Sequence, residues 1–237
     1  MFCPQTVPYR YSFRILAAGT DLSTSRPTKY TSDVAANPVE PSALRLKILQ
    51  VGEPVLRTPA RELSVDEIRS SRVQELVAHM RDTMRDAPGV GLAAPQIGES
   101  LQLAVVEDRL EYLQGVDSAW LAEREREPVP FYVVINPKLT VLEEEPVDFF
   151  EGCLSVAGFT ALVSRARALR VTFLDERAEP RTVEARGWHA RILQHEIDHL
   201  HGRLYVDRMD PRSFMTTAAY ARHWKDQPIA DLQLLRG

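Results

Sequence analysis

Apolar residues at Val73, Leu76, Val77, Met80 and Met84 recur every three or four positions between Ser71 and Asp86, which predicts an amphipathic helix laying one apolar stripe on a core. Trp188, Ile192, His195 and His199 follow at intervals of four, three and four, so a second helix places two imidazoles and an apolar wall on one face. Between them the pattern changes to alternating or β-branched runs at Leu101 to Val106, Phe131 to Ile135, Leu139 to Leu142, Leu162 to Phe173 and Arg181 to Ala185, broken by Gly, Pro and Asp. A short strand is expected at Leu46 to Leu49, a turn at Val51 to Arg57, a short helix within Pro211 to Tyr220, and fraying at the end. Helix, then strands, then helix predicts an α+β fold with mixed or antiparallel sheets packed around the second, His-bearing helix.

The 237 residues, 44% of them hydrophobic, suffice for one core and an appendage. Residues 1–44 are rich in Ser, Thr and Pro without sustained periodicity and read as a disordered or loosely packed extension. A catalytic domain is expected over 45–215 and a tail over 216–237. Lys and Arg number 29 against 33 Asp and Glu, a net charge of -4 that offers no general attraction to DNA or an anionic membrane. No apolar run is as long as a membrane span, so the chain is expected to be soluble. Two cysteines in different contexts, Cys3 and Cys153, form no disulfide framework and suit a reducing compartment, bacterial cytoplasm or an organelle interior.

The run Gln194-His195-Glu196-Ile197-Asp198-His199 carries the chemistry. Histidines four apart on a helix make a chelate, and the glutamate between them stands where a general base is needed beside a metal. A third ligand is required. After Gly202, Tyr205 stands where metzincin-like peptidases continue to a third His, and no Glu follows Glu196, as thermolysin-like enzymes require. Cys153, in Glu151-Gly152-Cys153-Leu154-Ser155, would complete a Cys-His-His set with one open position; Asp207 or Asp210 is the alternative third ligand of a zincin-type endopeptidase. A third segment, Gly89-Val90-Gly91-Leu92-Ala93-Ala94-Pro95-Gln96-Ile97-Gly98, lets backbone pass close to a ligand but has no phosphate-loop spacing. His201 falls off the chelating face and is expected to be exposed, and Glu123 to Glu127 reads as a solvated turn or helix end.

These three segments, in this order and separation, resemble the signature motifs of the peptide deformylases, over about Leu46 to Met215. Val51 to Arg57 and Gly187-Trp188 add to the likeness, and the long Asp108 to Pro130 connection with Ser155 to Phe159 looks like the organellar-type branch and its bacterial relatives. Many bacterial members carry an Arg seven residues after the cysteine, where this chain has Thr160. The resemblance implies a hydrolase that removes formyl from the N-terminal formylmethionine of new polypeptides. It implies one divalent ion per chain held by Cys153, His195 and His199, natively Fe(2+), with Zn(2+), Ni(2+) or Co(2+) possible in purified protein. Glu196 would be the general base, and the Gln96 amide and Leu154 N–H the donors to a developing oxyanion. Val90, Gly91 and Gly152 would hold the peptide main chain, and Phe149, Trp188 and Ile192 would wall the pocket for the first side chain. Glu151 and Arg165 would brace the cysteine strand. The expected partners are N-formylmethionyl nascent chains and, transiently, the ribosome, with the protein a monomer or weak dimer. A descendant that binds N-terminal peptides without catalysis is the other reading.

Overall fold

The computed structural model describes residues 44–228, 231, 232 and 235; the expected extension over 1–44 lies, but for Leu44, outside them. Helices α1 (Val65–Arg69) and α2 (Ser71–Asp86) precede strands β1 (Gly91–Ala93) and β2 (Leu103–Asp108). Short helices α3 (Leu110–Leu113) and α4 (Ser118–Glu123) lead to β3 (Val129–Cys153), β4 (Val156–Leu174) and β5 (Pro180–Arg186). Then come α5 (Gly187–Leu200), β6 (Met215–Thr216) and α6 (Thr217–His223). The strands form one sheet of order β1-β2-β3-β4-β5, with β6 added to β4. Every pairing between these strands is antiparallel, one of the two arrangements expected.

Two caps set the first helices. Ser64 accepts from the Glu67 amide while the Glu67 carboxylate accepts from the Ser64 amide, and Ser70 caps α2 in turn. α2 then buries Val73, Val77, Met80 and Met84 of the predicted stripe, with Thr83 beside them and Leu76 half-buried. It packs on one face of β1, β2 and β3, against Leu92, Leu103, Val105, Val133 and Ile135. The intervening residues Ala93, Ala104, Val106 and Val134 point the other way, into a second cluster with Trp188, Ile192, Leu193 and Ile197 of α5. A period of two thus sends alternate side chains of each strand to different helices, which is why the run Leu103 to Val106 is apolar throughout.

α5 is central rather than one-sided, with Arg191, Glu196 and Asp198 buried beside its apolar residues. Its entry depends on Gly187: with φ +52°, a Cβ there would lie 2.4 Å from Glu125 Cβ and 2.5 Å from the Arg124 carbonyl oxygen. The Trp188 amide donates to that same carbonyl at 2.9 Å.

The structure corrects several local expectations. The runs at Phe131 to Ile135 and Leu139 to Leu142 belong to one strand, β3, whose register shifts between Ile135 and Lys138 and again near Pro146, bending the ladder without ending it. Leu46 to Leu49 is not a strand; the Leu49 amide donates to Gln96 O and the Val51 amide to Ser155 O as single ties. Within Pro211 to Tyr220, a 3-10 turn and β6 precede α6. Glu123 to Glu127 is not simply solvated. Arg126 is fully buried, its Nε and Nη2 donating to Asp108 at 2.7 and 2.9 Å, and Arg124 lies 3.8 Å over the Trp120 ring.

Candidate metal centre and active site

β3 ends at Cys153, and the chain turns at Leu154 and Ser155 into β4. On α5, His195 and His199 stand one turn apart with ring centroids 5.0 Å from each other. One ligand atom from each of Cys153, His195 and His199 lies within 4.8 Å of the others, and all three residues are buried. Among the described residues the alternative donors do not join them. Asp207 pairs with Arg57 and accepts from the Leu204 amide, and Asp210 accepts from the Arg212 amide.

A buried carboxylate orients the cluster. Glu151, two residues before Cys153, accepts at 3.0 Å from His195 Nδ1, at 2.9 and 3.0 Å from Arg165, and at 2.6 Å from Arg191 Nη1. Burial alone would raise its pKa, but the Arg165 charge, the His195 hydrogen bond and the Arg191 charge hold the carboxyl well below its ordinary value. An ionised Glu151 keeps the proton on Nδ1 and turns Nε2 toward Cys153. That Nε2 is buried with no hydrogen-bond partner, while His199 Nε2 lies 3.3 Å from Cys153 Sγ. Burial also lowers His195, yet the Cys153 sulfur and Glu151 outweigh it and lift the ring to about 9; burial and the neighbouring His195 push His199 well below its ordinary value. A cysteine sulfur and two imidazoles converging on one point, one nitrogen otherwise unsatisfied, fit a divalent ion.

Gln96 comes from the 3-10 turn Ala94–Ile97, closed by Gly98 at φ +89°. Its Oε1 accepts from the Ala93 amide at 2.8 Å, which fixes the amide so that Nε2 faces Cys153 Sγ at 3.5 Å and Ser155 Oγ at 3.2 Å. Glu196 is buried between the two histidines and lies against Gly91. A Cβ on Gly91 would sit 2.2 Å from Glu196 Oε1, so the strand passes the carboxylate at a distance only glycine allows. Val90 and Gly91 stand at the start of the strand order, where β1 pairs with β2, and Gly152 pairs with Thr160 beside Cys153. Leu154 forms the turn after the cysteine.

Phe149, Trp188 and Ile192 are placed together, in the buried cluster that α5 shares with the sheet. The cavity open beside Cys153 is lined instead by residues from Gly152 to Thr160 and by Thr217. His201 is exposed, and His189 Nε2 lies 2.7 Å from Tyr132 Oη. The sequence reading missed Ser155, Arg191 and Asp198. The last binds Arg165 and Arg208, so the histidine helix is tied to β4 and to the segment after it. Helical spacing held a signal: Arg191 four residues before His195 and Asp198 three after it flank its face.

Residues 45–214 match the model of the polypeptide deformylase family. The chain is 48% identical over 169 residues to peptide deformylase 1A, chloroplastic, of Solanum lycopersicum, covering 71% of this chain and 61% of that protein. It is 43% identical over 186 residues to peptide deformylase 3 of Streptomyces avermitilis, covering 78% of this chain and 80% of that one. A Met-Ala-Ser-bound class I type b peptide deformylase from Acinetobacter baumannii superposes with a TM-score of 0.63 at 30% identity, over 70% of this chain and 99% of its own. The chain spans about three fifths of the length of the plant relative. The fold, the cysteine and two histidines gathered at one point, and these similarities together place the chain in the polypeptide deformylase family.

Proposed function

We propose that the protein is a metal-dependent hydrolase that removes the formyl group from the N-terminal formylmethionine of newly made polypeptides, releasing formate. The observation that carries this is the buried convergence of Cys153, His195 and His199 in a chain of this family, with Glu196 beside them. The three would hold Fe(2+) natively, and Zn(2+), Ni(2+) or Co(2+) would fit the same mixed donors in purified protein. Such an ion, when bound, supplies a Lewis acid and lowers the pKa of a water toward about 7.

The chain's own groups do the rest. Glu196 accepts a proton from the attacking water as oxygen adds to the formyl carbon, and delivers it to the amine nitrogen as the carbon–nitrogen bond breaks and formate leaves. The Gln96 amide, locked by Ala93, and the Leu154 N–H would donate to the developing oxyanion, each contributing about 2.7 to 4 kcal/mol of transition-state stabilisation. A peptide lying along Val90 and Gly91, with Gly152 on its other side, would be held by main chain and so without regard to most of its sequence. That mode suits an enzyme acting on many nascent chains, and the Met-Ala-Ser peptide in the Acinetobacter relative is a ligand of the expected kind. Phe149, Trp188 and Ile192 would wall the pocket for the first side chain.

The protein would act as a monomer or weak dimer in a bacterial cytoplasm or organelle interior, meeting the ribosome transiently and not binding DNA. No helix among the described residues is long and apolar enough to cross a membrane. Two variants test the assignment. Glu196→Ala keeps about one metal per chain and loses activity, whereas Cys153→Ala loses both. A fully active Glu196→Ala would refute the mechanism.

A further inference from the structure

We infer that the segment Leu46 to Val51 is a strap across the oxyanion side of the site, and that Gln50, on this strap, is a positioning residue for the Leu154 N–H. This rests on the deformylase reading. The two donors assigned to the developing oxyanion come from separate turns, Gln96 from Ala94–Ile97 and Leu154 from the turn between β3 and β4. One short run of chain is hydrogen-bonded to both. The Leu49 amide donates to Gln96 O at 2.8 Å and the Val51 amide to Ser155 O at 2.7 Å. Between them, Gln50 Nε2 donates to Leu154 O at 3.0 Å while its Oε1 accepts from the Ala157 amide at 3.2 Å.

The strap is itself anchored. The Leu46 amide donates to Thr83 Oγ1 of α2 at 2.9 Å, and Leu46 and Ile48 pack against the cluster that holds α2 on the sheet. Gln50 therefore reaches the turn from fixed ground. Its grip acts on the peptide unit joining Leu154 to Ser155: Gln50 holds the oxygen, and the Ser155 amide donates to Cys153 Sγ at 3.4 Å. A peptide unit is planar, so with both its polar groups held, only the two backbone torsions of Leu154 separate it from the Leu154 N–H. Releasing the oxygen lets the plane turn, and the N–H turns with it. An oxyanion donor works through preorganisation, so slack there lowers transition-state stabilisation and leaves substrate binding nearly untouched. Gln50 is exposed, and hydrogen bonds in contact with water contribute little to folding. Its removal thus separates the placing of the donor from the stability of the fold. Apart from Cys153, the turn from Gly152 to Thr160 holds no ionisable side chain, and Lys47 and Glu53 are the charged residues nearest to Gln50 along the chain.

The test uses the metal-loaded full chain and formyl-Met-Ala-Ser, reading kcat and KM from formate release. Gln50→Ala should keep the wild-type metal content and melting temperature and a KM within about twofold, while kcat falls about tenfold. Gln50→Glu supplies a signature that a merely structural role would not give. At pH 8 its ionised carboxylate only accepts, so it opposes Leu154 O, and kcat should lie below that of Gln50→Ala. A carbonyl oxygen beside it disfavours the ionised form and moves protonation up from the ordinary value of about 4.3. Toward pH 5 one carboxyl oxygen then donates to Leu154 O and the other accepts from the Ala157 amide, as Gln50 does. The ratio of kcat in Gln50→Glu to that in Gln50→Ala, in which the pH dependence of the rest of the site cancels, should rise about threefold or more from pH 8 to pH 5. Wild-type kcat in Gln50→Ala, a loss that follows metal content or melting temperature, or a ratio equal at both pH values overturns the inference and leaves the deformylase reading standing. No formate from the wild type overturns that reading instead.

Discussion

Replacing Gly91 by alanine separates the position of the general base from its presence. The three heavy atoms nearest to a Cβ at residue 91 all belong to Glu196: Oε1 at 2.2 Å, Cδ at 2.5 Å and Cγ at 2.8 Å. Ordinary contact begins at 3.4 Å, so the carboxylate must retreat by about 1.2 Å, the difference between 3.4 and 2.2 Å. Rotating a glutamate end by that much costs about 0.5 to 1.5 kcal/mol if it leaves its rotamer well, so the fold survives with a small loss of stability. Catalysis is less forgiving. A displacement of about 1 Å in a reacting group lowers rate by about 100-fold, or about 2.7 kcal/mol of barrier. Gly91→Ala should therefore retain its metal and its cooperative thermal transition while kcat for formate release falls by about two orders of magnitude and KM changes little. The assay needs metal content, melting temperature and steady-state kinetics on one preparation. A variant with wild-type kcat, or one that loses activity only because it loses metal, would show that the close approach of β1 to Glu196 has no catalytic meaning.

Two further predictions concern stability. Asp108→Ala leaves the Arg126 guanidinium buried without its carboxylate, both side chains being 0% exposed in the wild type, and should cost about 3 to 5 kcal/mol by urea unfolding; Asp108→Ala with Arg126→Leu should recover most of it, and equal loss in both variants would contradict this. Burial pushes His189 down to about 4 from the ordinary 6.5, so the unfolded chain takes up a proton first as pH falls, and stability should decline between pH 6.5 and 4. The full shift corresponds to about 3 kcal/mol, reduced by the ring's partial exposure. His189→Gln should flatten that part of the stability curve, and parallel curves for the two proteins would refute the assignment.

What the sequence made legible depended on the range of the interaction. Ser71 to Asp86 has its boundaries written locally, in the Ser70 cap and a stripe with a period of 3.6. The histidine helix was equally plain, but its surroundings were not. Its apolar residues suggested one wall facing a ligand, whereas α5 is enclosed on nearly every side, so periodicity could not tell pocket from core for Trp188 and Ile192. Phe131 to Ile135 and Leu139 to Leu142 read as separate runs with Pro137 between them; irregular register lets β3 run through Pro137 and Pro146. The charges of Glu123 to Glu127 looked solvated because the partner of Arg126, Asp108, is 18 residues away in the chain. Similarly, Arg191 and Ser155 enter the site only through contacts that the fold supplies, with Glu151 and Gln96. Cys153 was found because chemistry demanded a third ligand where spacing offered none.

The measurement that bears most directly on the whole account is formate release from an N-formyl-methionyl tripeptide by protein purified without oxygen, with metal counted on the same sample. Formate in stoichiometric yield at near one ion per chain, with no internal peptide bond cut, is the predicted result. Fully metallated protein that releases no formate would contradict it.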